Sequence, residues 1–268
     1  LIALMLAAAA LTVRGDRLFI PARINGVATE AVLDSAAEST IVDDDFARRI
    51  GMGKGKAVTA RGSGGKAEAE LVEHARLDVL GVDLPDVTLA VIDLDDVGKR
   101  LFGRKLDAIV GRELFDAARL QIDIEGGQVA AIGRDRRPAG TKLPLQTFHG
   151  IETIPVTIEG FAARAEFDLG NGSDLLIGKA FAQKTGLWAR SHGVEGGGGI
   201  GGAVQRRIVT VRAIRIAGVT FRDVRAAIDE QANAADANVG VKLLRKFRIV
   251  TDFADKAVWL QPRHGRSK

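Results

Sequence analysis

The chain contains its own copy, and that constrains it more than any single motif. The segment from Pro21, PARINGVATEAVLDSAAESTIVDDDFARRIGM, is matched by the segment from Pro155, PVTIEGFAARAEFDLGNGSDLLIGKAFAQKTGL. In each, a proline leads an apolar strand pattern, a glycine turn (Gly26, Gly160) and a second strand pattern. Thirteen positions after the proline comes an aspartate, Asp34 or Asp168. Further blocks follow in the same order. GVDLPDV from Gly81 matches GVTFRDV from Gly218, and IVGRELF from Ile109 matches NVGVKLL from Asn238. This last match sets Gly111 over Gly240, Leu114 over Leu243, Arg119 over Arg248 and Asp123 over Asp252. Self-similarity with a fixed block order points to two lobes of like build rather than one undivided domain. The expected division is a leader or anchor remnant at 1–12, a first lobe at 13–132, a linker at 133–142, a second lobe at 143–262 and a tail at 263–268.

Composition agrees with two ordered, turn-rich lobes. Of 268 residues, 46% are hydrophobic, enough for each half to bury a core, and 32 glycines against 6 prolines supply turns. With no cysteine, disulfides and thiolate metal sites are excluded. The net charge of +4 is spread among nearly as many carboxylates as bases and lacks interleaved aromatics, so no nucleic-acid partner is expected. Most segments alternate or run as short Val/Ile/Leu stretches bounded by Gly, Asp or Asn, which predicts an all-β chain with a few short helices. Two helices per lobe are expected, at DDDFARRIG and GRELFDAAR in the first and at GKAFAQKTG and GVKLLRKF in the second. The uncharged run Leu1–Leu11 has the length of a signal-peptide h-region, so an exported chain is expected, periplasmic or secreted, touching a membrane only if that segment is an uncleaved anchor.

The aspartates are the candidate reactive groups. Each follows an apolar strand (AVLD, AEFD) and precedes small or turn-forming residues, which desolvates the carboxyl and offers it backbone N–H donors. Two such loops face to face would make a carboxyl pair sharing one proton, one member acting as base on a water and the other donating to a carbonyl.

With Asp34-Ser35-Ala36-Ala37 and Asp168-Leu169-Gly170-Asn171, and the later Ile109-Val110-Gly111 and Asn238-Val239-Gly240, the chain resembles the pepsin and retropepsin superfamily of aspartic proteases. It looks like a single chain whose two lobes each resemble one retropepsin subunit. The Asp-to-Gly separations of 77 and 72 residues make the duplication specific. The resemblance implies a bilobal acid-protease fold, an Asp34/Asp168 dyad, supporting loop residues Ser35, Ala36, Leu169 and Gly170, and psi-loop glycines Gly111 and Gly240. It also implies hydrolysis of an extended peptide or protein substrate with no metal or organic cofactor, and two lobes in one chain make a monomer sufficient. At the second loop Leu169 stands where the family has a hydroxyl residue that bonds across to the opposite loop, so Ser35 alone can do so. Ala36 stands for a glycine and requires a backbone that avoids positive φ. Ala37 offers Asp34 no hydroxyl. These departures leave a catalytically silent, peptide-binding relative as the alternative to an active endopeptidase, with a structural envelope protein of the same fold more remote.

Each lobe also carries a candidate flap, alternating strands about a glycine-rich tip: Gly62, Ser63 and Gly64 in the first, Gly198, Gly199 and Ile200 in the second. Other motifs lack their context. Gly197, Gly199 and Gly202 satisfy G-x-G-x-x-G but no helix pattern follows, GMGKGKA near Gly51 is an incomplete phosphate loop, and Ser63 and Ser173 sit in no nucleophile elbow. His74, His149, His192 and His264 form no constellation. The acidic groups Asp43-Asp44-Asp45 and Asp93, Asp95, Asp96 read as helix starts or turns rather than a calcium loop.

Overall fold

The strand Arg17–Ile24 shows how the alternation works: Leu18, Ile20, Ala22 and Ile24 are buried on one face while Pro21 and Arg23 are exposed. Repeated over the chain, this pattern builds three sheets in a computed structural model that describes residues 8–263. The first lobe is an eight-stranded sheet in the order Thr12–Arg14, Arg17–Ile24, Val27–Leu33, Ala108–Val110, Ile41–Asp43, Val82–Ile92, Gly65–Val79, Lys56–Gly62. The second lobe repeats that order strand for strand, from Gln146–Phe148 through Ile151–Ile158, Phe161–Phe167, Ala237–Val239, Leu175–Gly178, Val219–Asp229 and Val204–Ile216 to His192–Gly197. Each sheet also closes back on itself, Arg23 pairing Asp78 and Thr157 pairing Arg215. The chain is therefore mostly β, with the two-lobe arrangement of a pepsin-like fold.

The lobes share a six-stranded sheet, three strands from each side, in the order Ala9–Ala10, Gln128–Ile132, Arg119–Asp123, Phe247–Asp252, Ala257–Pro262, Thr141–Pro144. At its centre Arg119–Asp123 runs antiparallel to Phe247–Asp252, with Gln121 opposite Val250. This central pairing relates the lobes by an approximate twofold axis, and the residues matched in the repeat exchange partners across it. Arg119 bonds Asp252 at 2.8 Å and Arg248 bonds Asp123 at 3.2 Å. Leu120, Ile122 and Ile249 join one hydrophobic core running through both lobes.

Four expectations need correction. First, residues 9–12 are part of the fold. Ala9–Ala10 pairs with the strand Gln128–Ile132, Leu11 is buried, and Thr12 begins the next strand. They occupy the place that Leu143–Gln146 holds in the second lobe, so the repeat begins earlier than position 13; residues 1–7 lie outside the described residues. Second, the linker is shorter than 133–142, because Thr141 and Lys142 already pair with Leu260 and Trp259. Third, the first lobe has a third helix, Asp95–Phe102, ended by Gly103 at φ 66°. Its interior Gly98 reads as a breaker in sequence, yet it is required here, since a Cβ would lie 2.5 Å from the Arg104 carbonyl. Fourth, the helix expected at GVKLLRKF is a single turn, Val241–Leu244. The other helices form where expected, at Asp44–Arg49, Arg112–Ala117 and Lys179–Lys184. Asp43 caps the first of them, accepting from Phe46 N, and also accepts from Leu94 N.

The two exchanged ion pairs differ in burial, and that decides their worth. Arg119 and Asp252 are 6% and 0% exposed, Arg248 and Asp123 60% and 18%. Burial pushes Asp252 up, but hydrogen bonds from Arg119 and Arg134 outweigh it and hold the carboxyl below its usual range. Breaking a buried pair from one side costs about 3–5 kcal/mol, a surface pair about 0–1. Arg119→Met should therefore lower the urea unfolding midpoint markedly and Arg248→Met little. Equal shifts would remove Arg119 from the lobe interface's energetics.

Candidate active site between the lobes

In each lobe a short inner strand is inserted between the two segments that flank an aspartate. Ala108–Val110 runs parallel to Val27–Leu33 and antiparallel to Ile41–Asp43, so Asp34 leaves its strand over the inserted one, Asp34 N bonding Val110 O at 3.0 Å. The second lobe repeats this, with Asp168 N to Val239 O at 3.2 Å. Gly111 and Gly240 lie where each aspartate loop crosses: a Cβ would sit 2.8 Å from Ala37 O and 2.2 Å from Ser173 O. Any side chain there would push the loop off the strand.

Across the lobes the loops are tied by Ser35. Its buried hydroxyl donates to Phe167 O at 2.7 Å and accepts from Leu169 N at 2.9 Å. The Leu169 side chain turns into the core, fully buried, and takes no part in a reciprocal bond. Gly170 is packed against the partner carboxyl so closely that a Cβ would lie 2.2 Å from Asp34 Cγ. Ala36 is not among the residues at positive φ, which is what an alanine at that position requires.

The two carboxyls are held unequally. Asp34 Oδ1 accepts from Ala36 N at 2.8 Å. Asp168 Oδ1 accepts from Gly170 N at 2.8 Å and Asn171 N at 2.9 Å, while its Oδ2 accepts from Asn238 Nδ2 at 2.7 Å. Burial drives both carboxyls above the usual carboxylate range, and the Asp168 charge drives Asp34 up further. Asp34 is also favoured in its charged form by the Ala37 backbone, but Asp168 alone gains a side-chain donor, Asn238, which makes Asp34 the member more readily protonated.

Several contributors escaped the sequence reading. Asn238 is held by Asn171 Nδ2 at 2.7 Å, and Asn171 Oδ1 in turn accepts from Ser173. Its amide also reaches Glu166 Oε2 at 2.8 Å; burial pushes that carboxyl up to about 7. In the first lobe Glu113 braces the loop instead, accepting from Thr40 N and Oγ1 at 2.7 Å and from Ser39 Oγ at 2.9 Å. Arg17 enters from its strand, bonding Gly170 O at 3.2 Å, and its charge favours ionisation of both aspartates. A signal existed for three of them: the repeat sets Glu166 over Val32, Asn238 over Ile109 and Arg17 over Ile151, polar residues where the copy is apolar.

Both candidate flaps are hairpins, and their tips meet. Gly64 N donates to Ile200 O at 2.9 Å, and Arg206 and Gln231 donate to Ser63 O at 2.9 and 3.1 Å. Arg100, on the Asp95–Phe102 helix, grips the other tip at Gly198 O and Gly199 O, 3.2 and 3.0 Å. Glycine is needed for this approach: a Cβ on Gly64 would lie 2.0 Å from Gly202 O, and one on Gly62 2.5 Å from Ile200 O. A cavity of about 380 Å³ opens beside the tips, lined in part by Ser63, Arg206, Asp229 and Gln231; neither Asp34 nor Asp168 lines it.

Comparison with known proteins agrees with this geometry. Residues 20–114 match the family model described as aspartyl protease. A protein named DNA damage-inducible protein 1, from Phaeosphaeria nodorum, is 30% identical over 117 residues, which is 42% of this chain and 24% of that protein. The chain thus spans about a quarter of the length of that curated relative. The resemblance to retropepsin-like aspartic proteases stands on these matches, which include Asp34 and Gly111 in the family segment.

Two outcomes follow. Ser35→Ala leaves Phe167 O and Leu169 N buried without a partner, and should cost about 3 kcal/mol in chemical denaturation, with Ser35→Thr recovering part of it. For Glu166 the folded carboxyl sits at about 7 against an ordinary 4.5, so its contribution to stability is greatest below 4.5 and is lost as pH rises through 7. Glu166→Gln should therefore match the parent's urea midpoint near pH 4 and exceed it at pH 8. A difference that grows towards low pH would reverse the assignment.

Proposed function

We propose that the chain is an aspartic endopeptidase, hydrolysing extended peptide segments held between the two lobes and beneath the two flaps. Its aspartyl-protease-like character rests on the resemblance above; turnover and substrate are the proposal. The observation that carries it is the unequal carboxyl pair where the lobes meet, in which burial raises both carboxyls and the Asp168 charge raises Asp34 further. Such a pair can run acid and base chemistry in the same step.

In this reading Asp168, ionised and braced by Asn238, Gly170 and Asn171, takes a proton from a water held between the carboxyls. The water oxygen forms a bond to the scissile carbonyl carbon while Asp34 gives its proton to the carbonyl oxygen. The result is a neutral tetrahedral diol, with the negative charge now on Asp34. The C–N bond then breaks as Asp168 passes its proton to the departing nitrogen, and the diol returns a proton to Asp34, leaving a carboxylic acid and an amine. The flaps exclude bulk water, and the sheet edges at their tips suit an extended chain bound through its backbone. Opening requires release of the tip contacts made by Arg100, Arg206 and Gln231.

A diverse peptide library between about pH 3 and 7 tests this, with Asp34→Asn and Asp168→Asn beside the parent chain. Cleavage by the parent and by neither variant is expected. Cleavage surviving either substitution would sink the dyad, and binding without cleavage by any form would mark a peptide-binding protein instead. Asn238→Leu removes a donor to the charged form of Asp168. It should move the acid limb of kcat/KM towards higher pH; an unmoved limb would assign Asn238 no electrostatic role.

A further inference from the structure

The repeat makes each lobe a control for the other, and on the cleft side the two differ in chemistry. In the first lobe Val32 pairs Ile109, and in the second Glu166 pairs Asn238, in the same register of the same two strands. Strand alternation turns Ala31, Leu33, Ala165 and Phe167 into the core, all fully buried. It turns Val32 and Glu166 the other way, to the side from which Asp34 and Asp168 project. Each therefore lies two residues before its aspartate, on the reacting face.

Around Val32 and Ile109 the packing is apolar, with Arg14, Arg17 and Arg104 only over the outer rings of Phe19 and Phe102. Val32 and Ile109 form a separate hydrophobic cluster with Phe19 and Ala69, packed by Leu101 and Phe102 of the Asp95–Phe102 helix and by Ile200 from the opposite flap tip. The second lobe has no such helix at the matching place; the chain there runs as a loop through Gln231. Glu166 Oε2 takes one bond, from Asn238 Nδ2 at 2.8 Å, and among the described residues no protein donor reaches Oε1. The charges acting on Glu166 are those of Asp168 and Asp229, both negative. No described Lys or Arg forms an ion pair with Glu166 or Asp229. Arg164, two residues away on the same face, is turned aside, bonding Thr153 Oγ1 at 3.0 Å and Thr153 O at 2.9 Å. A half-buried carboxyl with a free oxygen and no paired cation is stabilised by a ligand that brings one.

We propose that Glu166 is a specificity-determining residue. It makes the second-lobe side of the aspartate pair select a basic side chain, Lys or Arg, in a substrate whose residue on the first-lobe side is apolar and lies against Val32 and Ile109. This rests on the peptidase reading above and names its substrate class. Asn238 contributes by orienting Glu166.

The test uses the full chain and two readouts. The first is cleavage of a peptide set in which Lys, Arg, Leu, Gln and Glu are varied on either side of the scissile bond. The second is binding of matched reduced-amide peptides, which need no turnover. The parent should favour Lys or Arg over Leu on one side by at least about tenfold in both readouts, the range of a charge-assisted hydrogen bond. Glu166→Gln should reduce that ratio to about two- or threefold, and Glu166→Val, which installs the first lobe's residue, should turn it towards Leu. Because the readout is a ratio within one protein, a general loss of activity does not mimic it, and circular dichroism checks that both variants fold. Cleavage without a basic preference overturns this inference and leaves the peptidase reading standing. Selective binding of the Lys peptide without cleavage supports the inference while the peptidase reading falls. Neither cleavage nor selective binding overturns both.

Discussion

The hydroxyl of Ser35 is the interaction on which the site's geometry depends. Two carboxyls must be buried and held facing each other, although burial and like charge both oppose it. A single side chain from the first lobe bonds the second-lobe backbone on both sides of Asp168, at Phe167 O and Leu169 N. Asp34 and Asp168 belong to separate sheets, so their facing positions rest on that bond, on the close approach of Gly170 to Asp34, and on the shared six-stranded sheet behind them. Leu169 cannot return the bond, and its burial contributes to the core instead.

From that tie onward the lobes diverge, and the divergence assigns roles. The first lobe surrounds its aspartate with backbone donors and an apolar floor of Val32 and Ile109. The second surrounds its own with Asn171, Asn238 and Glu166, a connected set of amides and a carboxyl. Equal carboxyls would share the proton without preference. Unequal donors favour protonation of Asp34 and ionisation of Asp168, and under the proposed function this difference between the copies would give the two carboxyls separate tasks. The flaps show the same exchange, since each tip is gripped partly by residues of the opposite lobe: Arg100 holds the second tip, and Gln231 and Arg206 hold the first.

Much of this could be read from the sequence because the repeat supplies an internal comparison. Matching Pro21 with Pro155 singles out Asp34, Asp168, Gly111 and Gly240, and it predicts that the two lobes share one build. The early boundary was missed because residues 9–12 are alanine-rich and apolar, and composition alone does not distinguish a leader's end from an edge strand. The matching Leu143 and Leu145 held the answer. The Asp95–Phe102 helix was missed because it has no copy and carries Gly98 in its middle, a residue explained only by the Arg104 carbonyl passing over it. Asn238 and Glu166 were visible as letters, but their meaning needs the register that sets them side by side beneath Asp168. Arg17 too stands out in the repeat, where Ile151 takes its place, but its role comes from tertiary placement beside Gly170.

Carbon-13 NMR of protein labelled only at aspartate carboxyls tests directly whether Asp34 holds the proton while Asp168 stays ionised. One aspartate resonance should remain protonated well above the ordinary carboxylate range and disappear in Asp34→Asn, with the Asp168 signal already ionised at that pH. Aspartates that all ionise together in the ordinary range, or a late-titrating resonance that survives Asp34→Asn, would contradict that assignment.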